Sequence, residues 1–357
     1  MKRSYILKAF PTPPPHPHPP SAMNAIQQAK RTLSGGLIFK LSQIGFALRS
    51  TLCYTNRVNV GIHDHAEYAA QLRDGDSIFI SRTESDVPVH TLVAILRVRN
   101  VHVIFYLMDE PLVAWEFVER LLPVSIRIFV QNNTYDHPKV GIMPIGIRDC
   151  GSIVAMHRRF HHSYLYEKGA AARTTLVGKE RPIKCLLCFS LWTHPSRQEC
   201  YDLFAGGGAA SSSSSAASSS AASSSFVYNL NDDPAPDRRQ QRDTEEYYYE
   251  KIPAAVVYDK TIESKYALCP RGYGLDTHRF YECIYLGCIP IVVRTHTVFD
   301  RLYSAFSCLV VERWADVTEE LLDRYYPDCI ARMHDFHARF PRFLTDVENI
   351  ERLMQGL

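Results

Sequence analysis

The residues best suited to chemistry lie in one stretch, Lys265 to Val293, with the sequence KYALCPRGYGLDTHRFYECIYLGCIPIVV. Arg271, Gly272, Gly274, Asp276, Thr277, His278, Arg279 and Glu282 crowd its middle. The first part reads as a strand and the middle as a glycine turn. A helix follows, starting near Asp276 or Thr277 and stopping at Gly287, and a second strand starts at Ile289. Gly272 and Gly274 let the backbone approach a ligand with no Cβ in the way, and the free amides and dipole of a helix start favour an anion. Arg271, His278 and Arg279 add donors, and the arginine fork can hold two oxygens of a diphosphate. Glu282, one turn beyond Arg279, has the acceptor oxygens a ribose hydroxyl needs. A surface ion pair between Arg279 and Glu282, or a plain tight turn, would use the same residues, but their density at one junction favours a binding site. The turn lacks the Gly-Lys-Ser/Thr ending of a P-loop and the third glycine and distal acid of a dinucleotide fold, which disfavours kinases and dehydrogenases.

A strand, turn and helix of this kind need a parallel sheet behind them, because the right-handed crossover brings the turn and the helix start to the carboxyl edge of that sheet. The rest of the chain supplies the elements. Asp74-Gly75-Asp76 is a tight turn before a strand over Ser77 to Arg82, Val87 to Arg99 has helical apolar spacing, and VHVIFYLMDEP is a buried strand ending in acids. Leu112 to Leu122 reads as the next helix, followed by the strand SIRIFVQNN, the turn TYDHPK and the short strand VGIMPIG. A second series runs from the strand IKCLLCFS through the loop LWTHPSR to the helix QECYDLF. Alternating strands and helices predict an α/β fold with parallel sheets.

The 357 residues suit two such domains. The expected boundaries are a flexible Pro/His-rich arm over 1–35, an N-terminal domain over 36–160, a C-terminal domain over 161–340 and a C-terminal helix over 341–357. Gly36 to Tyr54, interrupted by Lys40 and Arg49, reads as an amphipathic helix rather than a membrane span. The Gly/Ala/Ser tract that begins at Ala205, with the polar run to about Glu246, cannot bury enough apolar surface to order itself and reads as a disordered low-complexity insertion over 205–246.

A formal net charge of +2 is too close to balance for a dedicated nucleic-acid binder, so no nucleic-acid partner is expected. Most of the ten cysteines sit in apolar runs and read as buried thiols. Cys185 and Cys188 have metal-site spacing, but a strand sends side chains three apart to opposite faces. The group His157, Arg158, Arg159, His161 and His162 lacks a carboxylate or cysteine partner and reads as a solvated helix face.

Pro270-Arg-Gly-Tyr-Gly-Leu-Asp-Thr-His-Arg279, Glu282 and Leu286-Gly-Cys-Ile-Pro-Ile-Val292 resemble the signature of the exostosin-like glycosyltransferases. The likeness extends to Phe299-Asp-Arg-Leu-Tyr303, Cys308-Leu-Val-Val311, Trp314 and Val317-Thr318 downstream. Upstream it takes in Asp74-Gly-Asp-Ser-Ile-Phe79, Gln131-Asn132, His137-Pro-Lys139, Pro144-Ile-Gly146 and Pro195-Ser-Arg197, covering most of residues 70 to 325. It implies the GT-B architecture, two Rossmann-like domains across a cleft, the first for acceptor and the second for a sugar nucleotide. It also implies transfer from a nucleotide-sugar donor to a glycan or glycoprotein acceptor, with no bound cofactor and no required metal. On this likeness Arg197, Arg271 and Arg279 hold the diphosphate, Glu282 the ribose, and Asp276, Thr277 and His278 shape the helix start. An inverting transfer needs a base across the cleft; Asp109 and Glu110, after the strand VIFYL, are placed for that role, capping of the helix that begins near Pro111 being the alternative. Asn132-Asn133-Thr134 is a glycosylation sequon in form only, since it falls at a strand end beside the cleft. The chain departs from the family at Tyr106 and Leu107, where relatives have a His-Asn pair, and at His194, where they have an Asn. A second reading is therefore a catalytically inactive subunit that binds sugar nucleotide or glycan in a hetero-oligomer with another glycosyltransferase. A third is a phosphate-dependent α/β enzyme of another chemistry. The expected location is the Golgi or secretory membrane if an N-terminal anchor precedes this chain, and the cytoplasm otherwise.

Overall fold

The computed structural model describes residues 46, 50–54, 69–81, 89–108, 112–147, 180–205, 226–232, 252, 254–341, 343 and 347–357. The arm over 1–35, the His157 to His162 cluster, Asp109 and Glu110 lie outside the described residues. Two parallel sheets of five strands each organise the chain. The first holds β1 (Leu52–Tyr54), β2 (Ser77–Ser81), β3 (Val103–Met108), β4 (Ser125–Val130) and β5 (Val140–Ile142), side by side in chain order. Helix α1 (Val89–Arg99) joins β2 to β3, and α2 (Trp115–Leu121) joins β3 to β4. Val89, Leu92, Val93 and Leu96 form the buried stripe of α1 at the three- and four-residue spacing of a helix.

Side chains alternate across β3 and β4, and both faces are covered, which explains why these strands read as continuous apolar runs. Val103, Phe105, Leu107, Ile128 and Val130 pack with α1 and α2. Tyr106, Met108 and Phe129 join the core shared with the second half of the chain. Tyr106 stacks on Phe129 with ring centroids 5.5 Å apart and meets Phe46 at 5.1 Å. Both residues are thus buried, Tyr106 on one face of the sheet and Leu107 on the other.

The expected helix from Gly36 to Tyr54 does not reach its predicted end. Residue 46 is helical, Ser50 Oγ donates back to the Phe46 carbonyl at 2.8 Å, and Leu52–Tyr54 is an edge strand parallel to Ile78–Ile80. The backbone bond from Thr51 N–H to the Ser77 carbonyl, 2.8 Å, draws this segment into the ladder. Three residues are too few to show a period in the sequence, and only pairing with β2 makes them a strand.

The second sheet holds β6 (Ile183–Leu187), β7 (Val227–Asn229), β8 (Ser264–Leu268), β9 (Ile289–Val293) and β10 (Leu309–Val311), in the order β10-β9-β8-β6-β7. The chain leaves β6 for β7 on one side and returns to β8 on the other, so the winding reverses between β6 and β8. That is a topological switch point, where the loops after two adjacent strands diverge and leave a crevice. β7 corrects the expected insertion over 205–246. Phe226 to Asn229 supply aromatic and β-branched residues that pair with Cys185–Leu187, and Phe226 packs edge-on against Phe204. Residues 206–225 and 233–246 lie outside the described residues.

The helices of this half are α3 (Pro195–Ala205), α4 (Ala254–Ile262), α5 (His278–Tyr285), α6 (Asp300–Ala305), α7 (Glu319–Arg339) and α8 (Val347–Met354). The stretch LWTHPSR, expected as a loop, is a 3-10 turn over Leu191–Thr193 followed directly by α3. Proline is well suited to a first helical position, where its missing N–H loses nothing. Beyond α8 the chain returns to the first domain, where Ile142 N–H donates to the Leu357 carbonyl at 3.3 Å. Among the described residues no helix is long and apolar enough to cross a membrane.

Candidate functional site

A cavity of about 240 Å³ opens at the carboxyl ends of β8, β9 and β10, beside the switch point. Cys269 and Arg271 line it after β8, Thr295 after β9, Arg313 and Trp314 after β10, and Thr277 at the start of α5. The turn and helix start singled out in the sequence therefore lie at this sheet edge. Thr295, Arg313 and Trp314 went unread as site residues. Each falls just past the end of a parallel strand, and Trp314 also belongs to the family likeness.

Arg271 is half-buried. Its Nη2 donates to the Tyr273 carbonyl at 3.3 Å, while its Nε is buried with no partner. Burial lowers its pKa from the ordinary arginine value, a desolvated cation lacking a carboxylate bond. Gly272 marks a close approach, since a Cβ there would sit 3.2 Å from Arg197 Nη2 and 3.8 Å from Thr193 Oγ1. That threonine hydroxyl is also buried without a partner. Arg197 is a strut between two loops. Its Nε donates to the Arg271 carbonyl at 2.9 Å and its Nη1 to the Ser190 carbonyl at 3.0 Å, so much of its donor capacity is already engaged.

His194 holds the start of α3. Ser196 N–H donates to His194 Nδ1 at 3.1 Å, and the Ser196 hydroxyl lies 2.8 Å from the same nitrogen. The imidazole nitrogen thus accepts as an asparagine oxygen would, and for that it must be neutral. Burial lowers its pKa, and Arg271 and Arg197 lower it further, which keeps it so.

Arg279 follows Thr277 into α5, with Nε and Nη2 buried and unpartnered. Burial alone would lower its pKa, but Cys283, Cys188, Glu282 and Cys269 around it raise it above the ordinary value. Burial raises the Cys269 thiol, whose sulfur lies 3.8 Å from that of Cys283. Burial also acts to raise Cys283, yet hydrogen bonds from Cys269 and Cys288 and the Arg279 charge hold it well below the usual thiol range. Glu282 is buried on α5 and is not among the cavity-lining residues.

Three of the predicted donor-site residues meet the other domain, Asp276 while also lining the cavity. Asp276 is buried where the two halves meet, with Oδ2 accepting from Ile145 N–H at 2.9 Å and from the Tyr281 hydroxyl at 2.6 Å, and Oδ1 from Thr277 N–H at 2.8 Å. Burial pushes its pKa up to about 6 against the lowering effect of those three bonds. Gly274 gives room to the Asn132 side chain, whose atoms lie 2.4 to 2.8 Å from where a Cβ would be. The His278 ring donates from Nδ1 to the Gly146 carbonyl at 2.8 Å. Asn132 itself is 2% exposed, so the sequon has no accessible amide. Among the described residues no group of three or more His, Cys, Asp or Glu could hold a metal ion, and Cys185, with metal-site spacing to Cys188, is fully buried.

Residues 192–315 match the Exostosin GT47 domain, the segment from the turn before α3 into the turn after β10. No curated protein sequence matches the chain. Among solved structures, the chain is similar to MurG of Acinetobacter baumannii at 10% identity, with 82% of this chain and 77% of that one covered and a TM-score of 0.36. It is similar to an Escherichia coli trehalose-6-phosphate protein bound with UDP-2-fluoro glucose at 12% identity, covering 82% and 73%, with a TM-score of 0.34. The corresponding values for the α,α-trehalose 6-phosphate synthase of Burkholderia multivorans are 13%, 82%, 69% and 0.33. Likenesses of that size carry no argument, and the architecture rests on the two parallel sheets and their seam.

Proposed function

We propose that the chain, an exostosin-like glycosyltransferase by its residues 192–315, takes a nucleoside-diphosphate sugar at the carboxyl edge of the second sheet. It transfers the sugar to a glycan or glycoprotein held by the first domain. The observation that carries this reading is the set of buried, unpartnered donors around the glycine loop: Arg271 Nε, Arg279 Nε and Nη2, and Thr193 Oγ1. Buried guanidinium nitrogens and a hydroxyl without hydrogen-bond partners are costly, and a diphosphate would satisfy several of them at once. The start of α5 adds to the field, since Thr277 makes no capping hydrogen bond through its side chain.

In the reaction these donors stabilise the charge that gathers on the departing diphosphate, the task a metal performs in other transferases, so no metal is required. Removal of the acceptor proton falls to Asp109 or Glu110, which follow β3 in the first domain, giving inversion at the anomeric carbon. A specific observation favours the second reading as well. Tyr106 and Leu107 are core residues, so a buried phenol and an aliphatic chain stand where the resemblance implies a His-Asn pair. A chain with this arrangement could bind donor as the inactive partner of another glycosyltransferase.

The melting temperature of the purified chain, measured against nucleoside diphosphates and nucleotide sugars, tests the donor site. One nucleotide class is expected to raise it, and Arg271→Ala to abolish the rise. No rise with any nucleotide would refute the donor site. Slow hydrolysis of the stabilising sugar nucleotide without acceptor would then mark an enzyme, and binding without turnover the inactive subunit.

A further inference from the structure

The turn that follows β4 reaches across the domain seam into the loop that precedes α5. Asn132 adopts the left-handed conformation, φ 55°, which few non-glycine residues accept and asparagine tolerates best. This conformation places its carboxamide against Gly274, and its Oδ1 accepts a hydrogen bond from Asp276 N–H at 2.9 Å. Asp276 answers by accepting from Ile145 N–H of the first domain, and His278 bonds the Gly146 carbonyl next to it. The loop over 271–277 is thus held at its far end by three hydrogen bonds to the first domain, while its near end carries Arg271 into the cavity.

We propose that Asn132 is a positioning residue for donor binding. From the acceptor domain it fixes the Gly272 to Thr277 loop, so that Arg271 and the start of α5 are set for the diphosphate before it arrives. The glycine at 274 exists to admit that carboxamide and not to let the backbone touch ligand. The inference rests on the donor reading given above, and it assigns a determinant of nucleotide affinity to the domain that does not hold the nucleotide.

The experiment is a double-mutant cycle on nucleotide affinity, measured by titration calorimetry with the nucleoside diphosphate that stabilises the wild type. Melting temperatures without ligand are measured alongside. Asn132→Gly keeps the left-handed backbone and removes the amide contact, and should weaken binding about tenfold. Gly274→Ala drives a methyl into the Asn132 side chain and should weaken binding further. In Asn132→Gly with Gly274→Ala the methyl enters the vacated space, so affinity should recover to that of Asn132→Gly alone. The loss is then strongly non-additive. A purely structural contact would lower the melting temperatures and leave the affinity of the folded fraction unchanged, which overturns the proposal. So does a double variant that binds no better than Gly274→Ala. A wild type that binds no nucleotide overturns the donor reading itself, whereas a wild type that binds, with variants that bind equally well, overturns only the role of Asn132.

Discussion

Gln131 and Arg279 both bury polar atoms that find no partner within the protein, Oε1 and Nε2 in the first and Nε and Nη2 in the second. The physical chemistry of the two differs. Gln131 is neutral, fully buried just past β4 and not among the cavity-lining residues, so replacing its amide with an apolar chain of similar volume removes a desolvation cost. Gln131→Met is expected to raise the melting temperature by a few degrees, the size of about 1 kcal/mol in a protein of this length, with the nucleotide response unaltered. A fall would mean that the amide is satisfied by a group that binds there. Arg279 is charged, and its near neighbours are thiols and Glu282. Arg279→Met should lower the stability of the empty protein, since those neighbours favour the charged form, and it should also abolish stabilisation by nucleotide. If Arg279 were only structural, the folded variant would still be stabilised by nucleotide.

The start of α5 sets stability against binding in an entire element. Its N-cap residue, Thr277, has the extended backbone of a cap, φ −141° and ψ 136°, yet its side chain makes no hydrogen bond to the helix. Thr277→Asp would place a carboxylate at the positive end of the helix and is expected to stabilise the protein by about 1 kcal/mol. The same charge would occupy the anion's place, so affinity for a nucleoside diphosphate should fall by at least about tenfold. Calorimetry and melting on one preparation read both, and a tighter complex would show that α5 does not meet the diphosphate. Elements of this kind were legible in the sequence because period and punctuation agree: α1, α5 and β3 have strong apolar spacing and clear ends. The short edge strands β1 and β7 were not, because three residues show no period and only pairing with a neighbour makes them strands. The cluster Arg271 to Glu282 was legible as a junction of turn and helix. Its division between cavity and seam was not, because Asn132 and Ile145 reach it from more than 130 positions away. Thr295 and Arg313 carry no motif, Trp314 belongs to the family likeness with no role attached, and all three come to the cavity through the order of β8, β9 and β10.

Across the whole molecule, the seam between the sheets closes on a carboxyl group. Asp276 is enclosed by Ile145, Thr277 and Tyr281, with the Tyr303 phenol nearby, and desolvation raises its pKa from 3.8 to about 6 despite three donors. A carboxyl whose folded pKa lies above its unfolded value binds more protons folded than unfolded in the interval between them. The stability it confers is therefore complete below about 3.8 and is lost as the pH rises through about 6. The span between those values corresponds to roughly 3 kcal/mol. Asp276→Asn cannot titrate. It sets an amide nitrogen against one of the N–H or O–H donors, a cost independent of pH, so the difference in melting temperature between wild type and variant isolates the titration. That difference should shrink in the variant's favour from about pH 4 to about pH 6.5 and then stay level. A difference that widens in the wild type's favour over the same range would mean that the hydrogen bonds outweigh burial and that Asp276 holds the seam as a carboxylate. The two domains would then be tied most firmly at neutral pH, and the acid side would be where the seam loosens.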